Sequence, residues 1–242
     1  MFLVQHEVPN DPSSLSYFFG CASQGKAIAF DVHASEVDWY MEQAEQKGVK
    51  IIAVLDTHIH ADHVSGGRAL AKRCGGDYML YETSTPNFEF TPLSDGQKII
   101  AGNVEAEVIY TPGHTMDSFS LLITDKSRAL EPWFLLTAHT LFVGSVGRPD
   151  LRGREEEMAG LLYDSIHDRI LPLEECIEIY PGAKAGSVCG VGISAKPSST
   201  IAYEKRHNDF LSLDKSSFIE KVLEDLPPKP DGMLDIIKQN VS

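Results

Sequence analysis

Three short segments, each directly after a run of strand-forming residues, constrain this chain more than anything else in it: Thr57-His-Ile-His-Ala-Asp-His63, Thr111-Pro-Gly-His-Thr115 and Thr137-Ala-His-Thr140. They hold five of its nine histidines. A satisfied or solvated histidine can sit anywhere, whereas three clusters at strand ends call for a fold that gathers those ends on one edge. In the first segment the extended backbone puts alternate residues on one side. His58 and His60 can therefore face one centre while Asp62 and His63 begin the next turn. Imidazole nitrogen suits zinc, iron, copper or nickel. The other histidines, His6, His33, His167 and His207, are isolated in sequence and read as ordinary polar residues.

Apolar alternation marks residues 2–8, 15–20 and 27–32 as an opening β-meander, and residues 50–55 form a β-branched run of the buried-strand type. Further strands are expected at 78–81, 97–100, 104–110, 119–124, 133–137 and 176–180. Helical spacing covers 37–47, closed by Gly48, and 65–74, closed by Gly75 and Gly76, then 155–168, 199–208 and 216–226. Two β-rich halves, each followed by helices, imply an α/β fold of two packed sheets covered by helices. With 242 residues, 43% of them hydrophobic, one large core is affordable and one domain is expected over residues 1–226. A Pro-rich stretch at 226–231 leads to a tail, 227–242, a candidate to pack on a second copy in a homodimer.

The formal charge of -14 repels polyanions, which argues against nucleic acid and anionic membranes as partners. No run of eighteen apolar residues occurs, and the N-terminus lacks a basic start followed by an apolar stretch, so a cytoplasmic protein is expected. Cys21, Cys74, Cys176 and Cys189 form no C-x-x-C pair, which suits free thiols in a reducing compartment.

The pattern H-x-H-x-D-H, then T-P-G-H-T, then a strand ending in T-x-x-T-L-F-V-G before G-R-P-D-L, resembles the metallo-β-lactamase superfamily over roughly residues 1 to 210. That resemblance implies an αββα sandwich of two mixed sheets flanked by helices. Within it, residues 140–151 and 180–190 look closest to persulfide dioxygenases, and more distantly to glyoxalase II. Such dioxygenases hold one ferrous ion with two histidines and an aspartate, which by position fall on His58, His114 and the third motif.

The chain departs from the family at two places. Relatives carry aspartate where this chain has His139, and a late histidine where it has Ala183. Two divalent ions about 4 Å apart repel by roughly 17 kcal/mol at an effective dielectric of 20, and a bridging carboxylate offsets much of that. A neutral imidazole adds no charge, and its two nitrogens diverge. One divalent transition metal is therefore expected, Fe(II) in preference to Zn(II), on His58, His114 and His139 with His60 as a further candidate ligand. Asp62 and His63 would then orient ligands or relay protons. The fixed fork of Arg148 would suit the carboxylate of a glutathione-like thiol or persulfide, and Cys189, in a segment resembling the glutathione-facing one of relatives, would sense or carry sulfur. Asp31 is expected to brace the loops. The rival readings are a mononuclear zinc hydrolase of glyoxalase II (hydroxyacylglutathione hydrolase) type and a non-catalytic metal-binding sensor or scaffold.

Overall fold

The expected meander grows into a six-stranded sheet. The structure is a computed structural model that describes residues 1–242 except Arg152 and Asp225. Strands β1 (Phe2–Val8), β2 (Asp11–Cys21) and β3 (Lys26–Phe30) pair antiparallel, and β4 (Lys50–Leu55), β5 (Asp77–Tyr81) and β6 (Thr91–Leu93) follow in parallel. Parallel pairing needs crossovers, which α1 (Val37–Lys47) and α2 (Gly67–Cys74) provide on the outer face. Both helices end on a left-handed glycine, Gly48 and Gly75, as their sequence predicts.

The second sheet contains β7 (Lys98–Ala101), β8 (Val104–Tyr110), β9 (Phe119–Asp125), β10 (Phe134–Ala138), β13 (Glu178–Pro181) and β14 (Ser199–Thr200). Between β10 and β13 lie a small hairpin, β11 (Leu141–Phe142) and β12 (Ser145–Val146), and α3 (Glu155–Asp164). Helices α4 (Ile201–His207), α5 (Lys215–Glu224) and α6 (Met233–Asn240) complete the chain.

Alternation along the strands decides the layers. Tyr17, Phe19 and Phe30 of the first sheet meet Val108, Phe119, Leu121 and Leu136 of the second in the central core. The opposite faces pack on helices: Phe18, Ala29 and Val54 against Tyr40 and Leu70, and Leu122 and Leu135 against Leu162 and Phe218. The result is an αββα sandwich. The helix expected at 155–168 does not stay α-helical: Ser165–Ile170 is a π-helix, and the Ser165 hydroxyl donates to the Pro112 carbonyl at 2.6 Å. The helix expected at 199–208 yields its first two residues to β14, which pairs with β13. Of the helix expected at 216–226, Asp225 lies outside the described residues. Short β6 and the β11–β12 hairpin have too few residues to show a period, and no expectation covered them or α6.

The C-terminal ends of β3, β4, β8, β10 and β13 emerge at one edge, where the loops from both sheets converge.

Candidate metal centre

His58 follows β4 of the first sheet, while His114 follows β8 and His139 follows β10 of the second. All three rings are buried, and one nitrogen from each lies within 4.8 Å of the others. The tautomers of His58 and His114 follow from their neighbours. The Thr57 hydroxyl donates to Asp31 Oδ2 at 3.0 Å, so towards His58 Nδ1, 2.9 Å away, it acts as acceptor. His58 therefore carries its proton on Nδ1, and its Nε2 is a bare lone pair with no partner. His114 Nδ1 donates to the Arg148 carbonyl at 2.9 Å, which frees Nε2; His139 Nδ1 lies 3.3 Å from that atom. Burial, reinforced by the neighbouring imidazoles, pushes His114 down to about 3 and His58 well below its usual range; burial also lowers His139. Neutral, convergent imidazoles with a buried orphan nitrogen are what a transition-metal ion requires.

Two glycines let this happen. A Cβ on Gly147 would run into the His139 carbonyl, and one on Gly182 would sit 2.8 Å from His139 Cδ2. Ala138, directly before His139, holds φ 47, a strained value for a residue with a side chain.

A second group, His60, Asp62 and His63, also brings its donor atoms within 4.8 Å of one another. His60 Nε2 donates to Asp31 Oδ1 at 3.2 Å, leaving Nδ1 without a hydrogen bond. Burial opposes a charge on His60, but Asp31, Asp56 and Asp62 outweigh it and hold the ring up to about 9. Asp62 is likewise disfavoured as an anion by burial, yet His63, His139 and His60 keep it well below the usual carboxylate range. His63 Nδ1 bonds Asp62 at 3.1 Å and its Nε2 has no partner. Asp31, itself at φ 54, joins these parts: it also accepts from Thr57 N at 2.8 Å. Asp117 accepts from Ile59 N at 2.9 Å and so fixes the loop segment between His58 and His60.

His33, read from sequence as an ordinary polar residue, belongs to this edge. It is 6% exposed, its ring stacks on His63 with centroids 3.5 Å apart, and Ser14 Oγ lies 2.7 Å from its Nε2. The available signal was its place after β3, beside Asp31.

Two expectations need correction. Arg148 does not offer its fork to a ligand: the side chain is 1% exposed and all five N–H groups are used. Nε and Nη2 grip Asp150 at 2.7 and 2.9 Å, Nη1 donates to the Val188 and Pro228 carbonyls, and Nη2 also donates to that of Pro227. It is a clamp between the third motif and the C-terminal segment. Cys189 does lie beside Asp62 and His139, but as a buried thiol donating to Asp62 Oδ2 at 3.8 Å. Burial and the Asp62 charge push it well above its usual range, so it lacks the thiolate character that carrying sulfur needs.

This sandwich with histidine-bearing loops on one edge is matched by the metallo-beta-lactamase superfamily over residues 19–188, and the chain belongs to that family. The chain is 26% identical over 223 residues to the mitochondrial persulfide dioxygenase ETHE1 of Mus musculus, covering 91% of this chain and 81% of that protein. It is also 26% identical over 262 residues to a hydroxyacylglutathione hydrolase of Nitrosococcus oceani, covering 98% and 97%. Among solved structures, a metallo-beta-lactamase from Staphylococcus aureus subsp. aureus COL superposes with a TM-score of 0.92 at 33% identity, over 99% of this chain and 72% of that one. ETHE1 from Myxococcus xanthus gives 0.86 at 25% identity, over 99% and 98%. No described helix is long and apolar enough to cross a membrane.

Proposed function

We propose that the chain is a metalloenzyme with one ion on His58, His114 and His139, acting as a sulfur dioxygenase on a glutathione persulfide or a related small thiol. The observation that supports it most is the orphan Nε2 of His58, turned with its lone pair towards two further neutral imidazoles from other strands. Similarity to persulfide dioxygenases over nearly the whole chain supports the choice of reaction. When bound, ferrous iron would supply the open positions and the redox chemistry that oxygenation of sulfur needs.

The chain's own residues supply the rest. Thr57 and the Arg148 carbonyl fix which nitrogens face the ion. Asp62, an anion, holds the proton of His63 on Nδ1, which leaves His63 Nε2 as the group placed to take the proton of an incoming thiol. Burial of the donor atoms keeps bulk water away.

The test is metal analysis of anaerobically purified protein, followed by two assays: oxygen uptake with glutathione persulfide, and hydrolysis of a glutathione thioester. Iron-dependent oxygen uptake is expected. Zinc-dependent thioester hydrolysis without oxygen uptake would replace this reading with the hydrolase one, which the Nitrosococcus oceani relative supports over as much of the chain. Intact metal binding with neither activity would point to a sensor or scaffold.

A further inference from the structure

The C-terminal helix α6 ends beside the metal loop, and one amide joins the two. Asn240 Nδ2 donates to the carbonyl of His60 at 3.0 Å and to that of His63 at 2.9 Å, while its Oδ1 accepts from Ser65 N at 2.9 Å. Two carbonyls and one N–H leave a single orientation for the amide. Among the described residues no other donor reaches those two carbonyls. The Asn240 side chain is buried, and the Val241 carbonyl accepts from Asn87 N at 2.7 Å, so the end of the helix is seated and not merely adjacent.

The two pinned carbonyls bracket the turn that carries His60, Asp62 and His63. Turning the peptide at either end would rotate the His60 ring away from Asp31 and carry Asp62 away from His63, and Asp31 also accepts from the Thr57 hydroxyl that orients His58 Nδ1, so the disturbance reaches a member of the three-histidine set. We infer that α6 is part of the metal centre, with Asn240 a positioning residue that couples seating of the C-terminus to metal affinity. Such a role presupposes an ion at the three-histidine set but no particular reaction. Coupling of this kind is reciprocal: whatever α6 adds to metal binding, the ion must return as tighter seating of α6.

The experiment measures zinc affinity of the full chain by chelator competition, and amide hydrogen exchange with and without zinc. Asn240→Ala is expected to weaken zinc binding on the order of tenfold, as for other groups that orient a metal site from behind its ligands. Asn240→Asp keeps the acceptor for Ser65 N but offers no donor to the two carbonyls, and is expected to lose at least as much. In the unmutated chain, which needs no variant to fold, zinc should slow exchange at Ser65 and across residues 233–242; in Asn240→Ala that difference should vanish. A purely structural tail would protect these amides equally in both states. Wild-type zinc affinity in both variants, or identical exchange of α6 with and without zinc, would overturn the inference. Absence of dioxygenase activity would leave these readings unaffected.

Discussion

With His58, His114 and His139 neutral, a divalent ion in the set keeps its full charge of about +2, whereas an aspartate at position 139 would leave about +1. The extra charge favours thiolate and other anionic ligands. His139→Asp is therefore expected to bind azide or thiolate more weakly than the parent while still holding one ion, and His139→Ala to lose more metal affinity than His139→Asp, because it supplies no donor. Titrations with iron and zinc under anaerobic conditions measure both; equal metal affinity in His139→Ala and the parent would remove His139 from the ligand set. Arg148 matters in a different way. Burial opposes the Asp150 charge, but Arg148 outweighs it and holds the carboxyl below its ordinary 3.8. A depressed folded value means stability that is complete above that ordinary value and is lost as the pH falls through the folded one. Arg148→Ala should cost about 3–5 kcal/mol in chemical denaturation at neutral pH, as expected for a buried pair broken on one side, and should flatten the acid limb below pH about 4. Unchanged stability would mean the clamp is not formed. Nothing in Gly-Arg-Pro-Asp-Leu could reveal that role, since three of Arg148's five hydrogen bonds go to carbonyls at 188, 227 and 228.

At the scale of elements, the centre depends on loops that pack without intervening side chains. Gly182, just after β13, faces the His139 ring, and a methyl there would also stand 3.1 Å from His139 Nε2. Gly182→Ala should turn the ring and reduce metal affinity while leaving the unfolding midpoint of the metal-free protein within a degree or two, on the order expected for a change of a few tenths of a kcal/mol. A competition assay against a chelator checks this, and full retention of affinity would contradict it. The strands that deliver His58, His114 and His139 were legible because each is a five- to seven-residue segment of β-forming residues that ends within four residues of its histidine. Other elements left no such trace. The π-helix at Ser165–Ile170 comes from a tertiary bond to Pro112, and α6 is a short helix whose importance lies in one asparagine about 180 residues from the turn it holds. Local periodicity carries no information about partners so distant.

For the whole molecule, folding and metal binding at this site would draw on the same contacts, because the donor set exists only when the two sheets are stacked. One equivalent of zinc at about a hundred times its dissociation constant should raise stability by about 2.7 kcal/mol, and the rise should saturate in a single step. Anomalous scattering should then show one ion; two full-occupancy ions about 3.5 Å apart would contradict the expected stoichiometry. The α/β architecture and its layers followed from the order of strands and helices alone. His33 did not, because a lone histidine in a sequence gives no sign of the ring it will stack on.

His58 hangs from one sheet, and His114 and His139 hang from the other, so the distance between their nitrogens is also a measure of the gap between the sheets. That gap is set by Phe119, Leu121 and their neighbours in the central core, none of which bears a donor atom. An ion held there would work as a feeler gauge for the sandwich: a small change in core thickness opens or closes the triangle of nitrogens. Core substitutions such as Leu121→Ala would then be noticed first as a drift in which metal the protein prefers, before any loss of the fold.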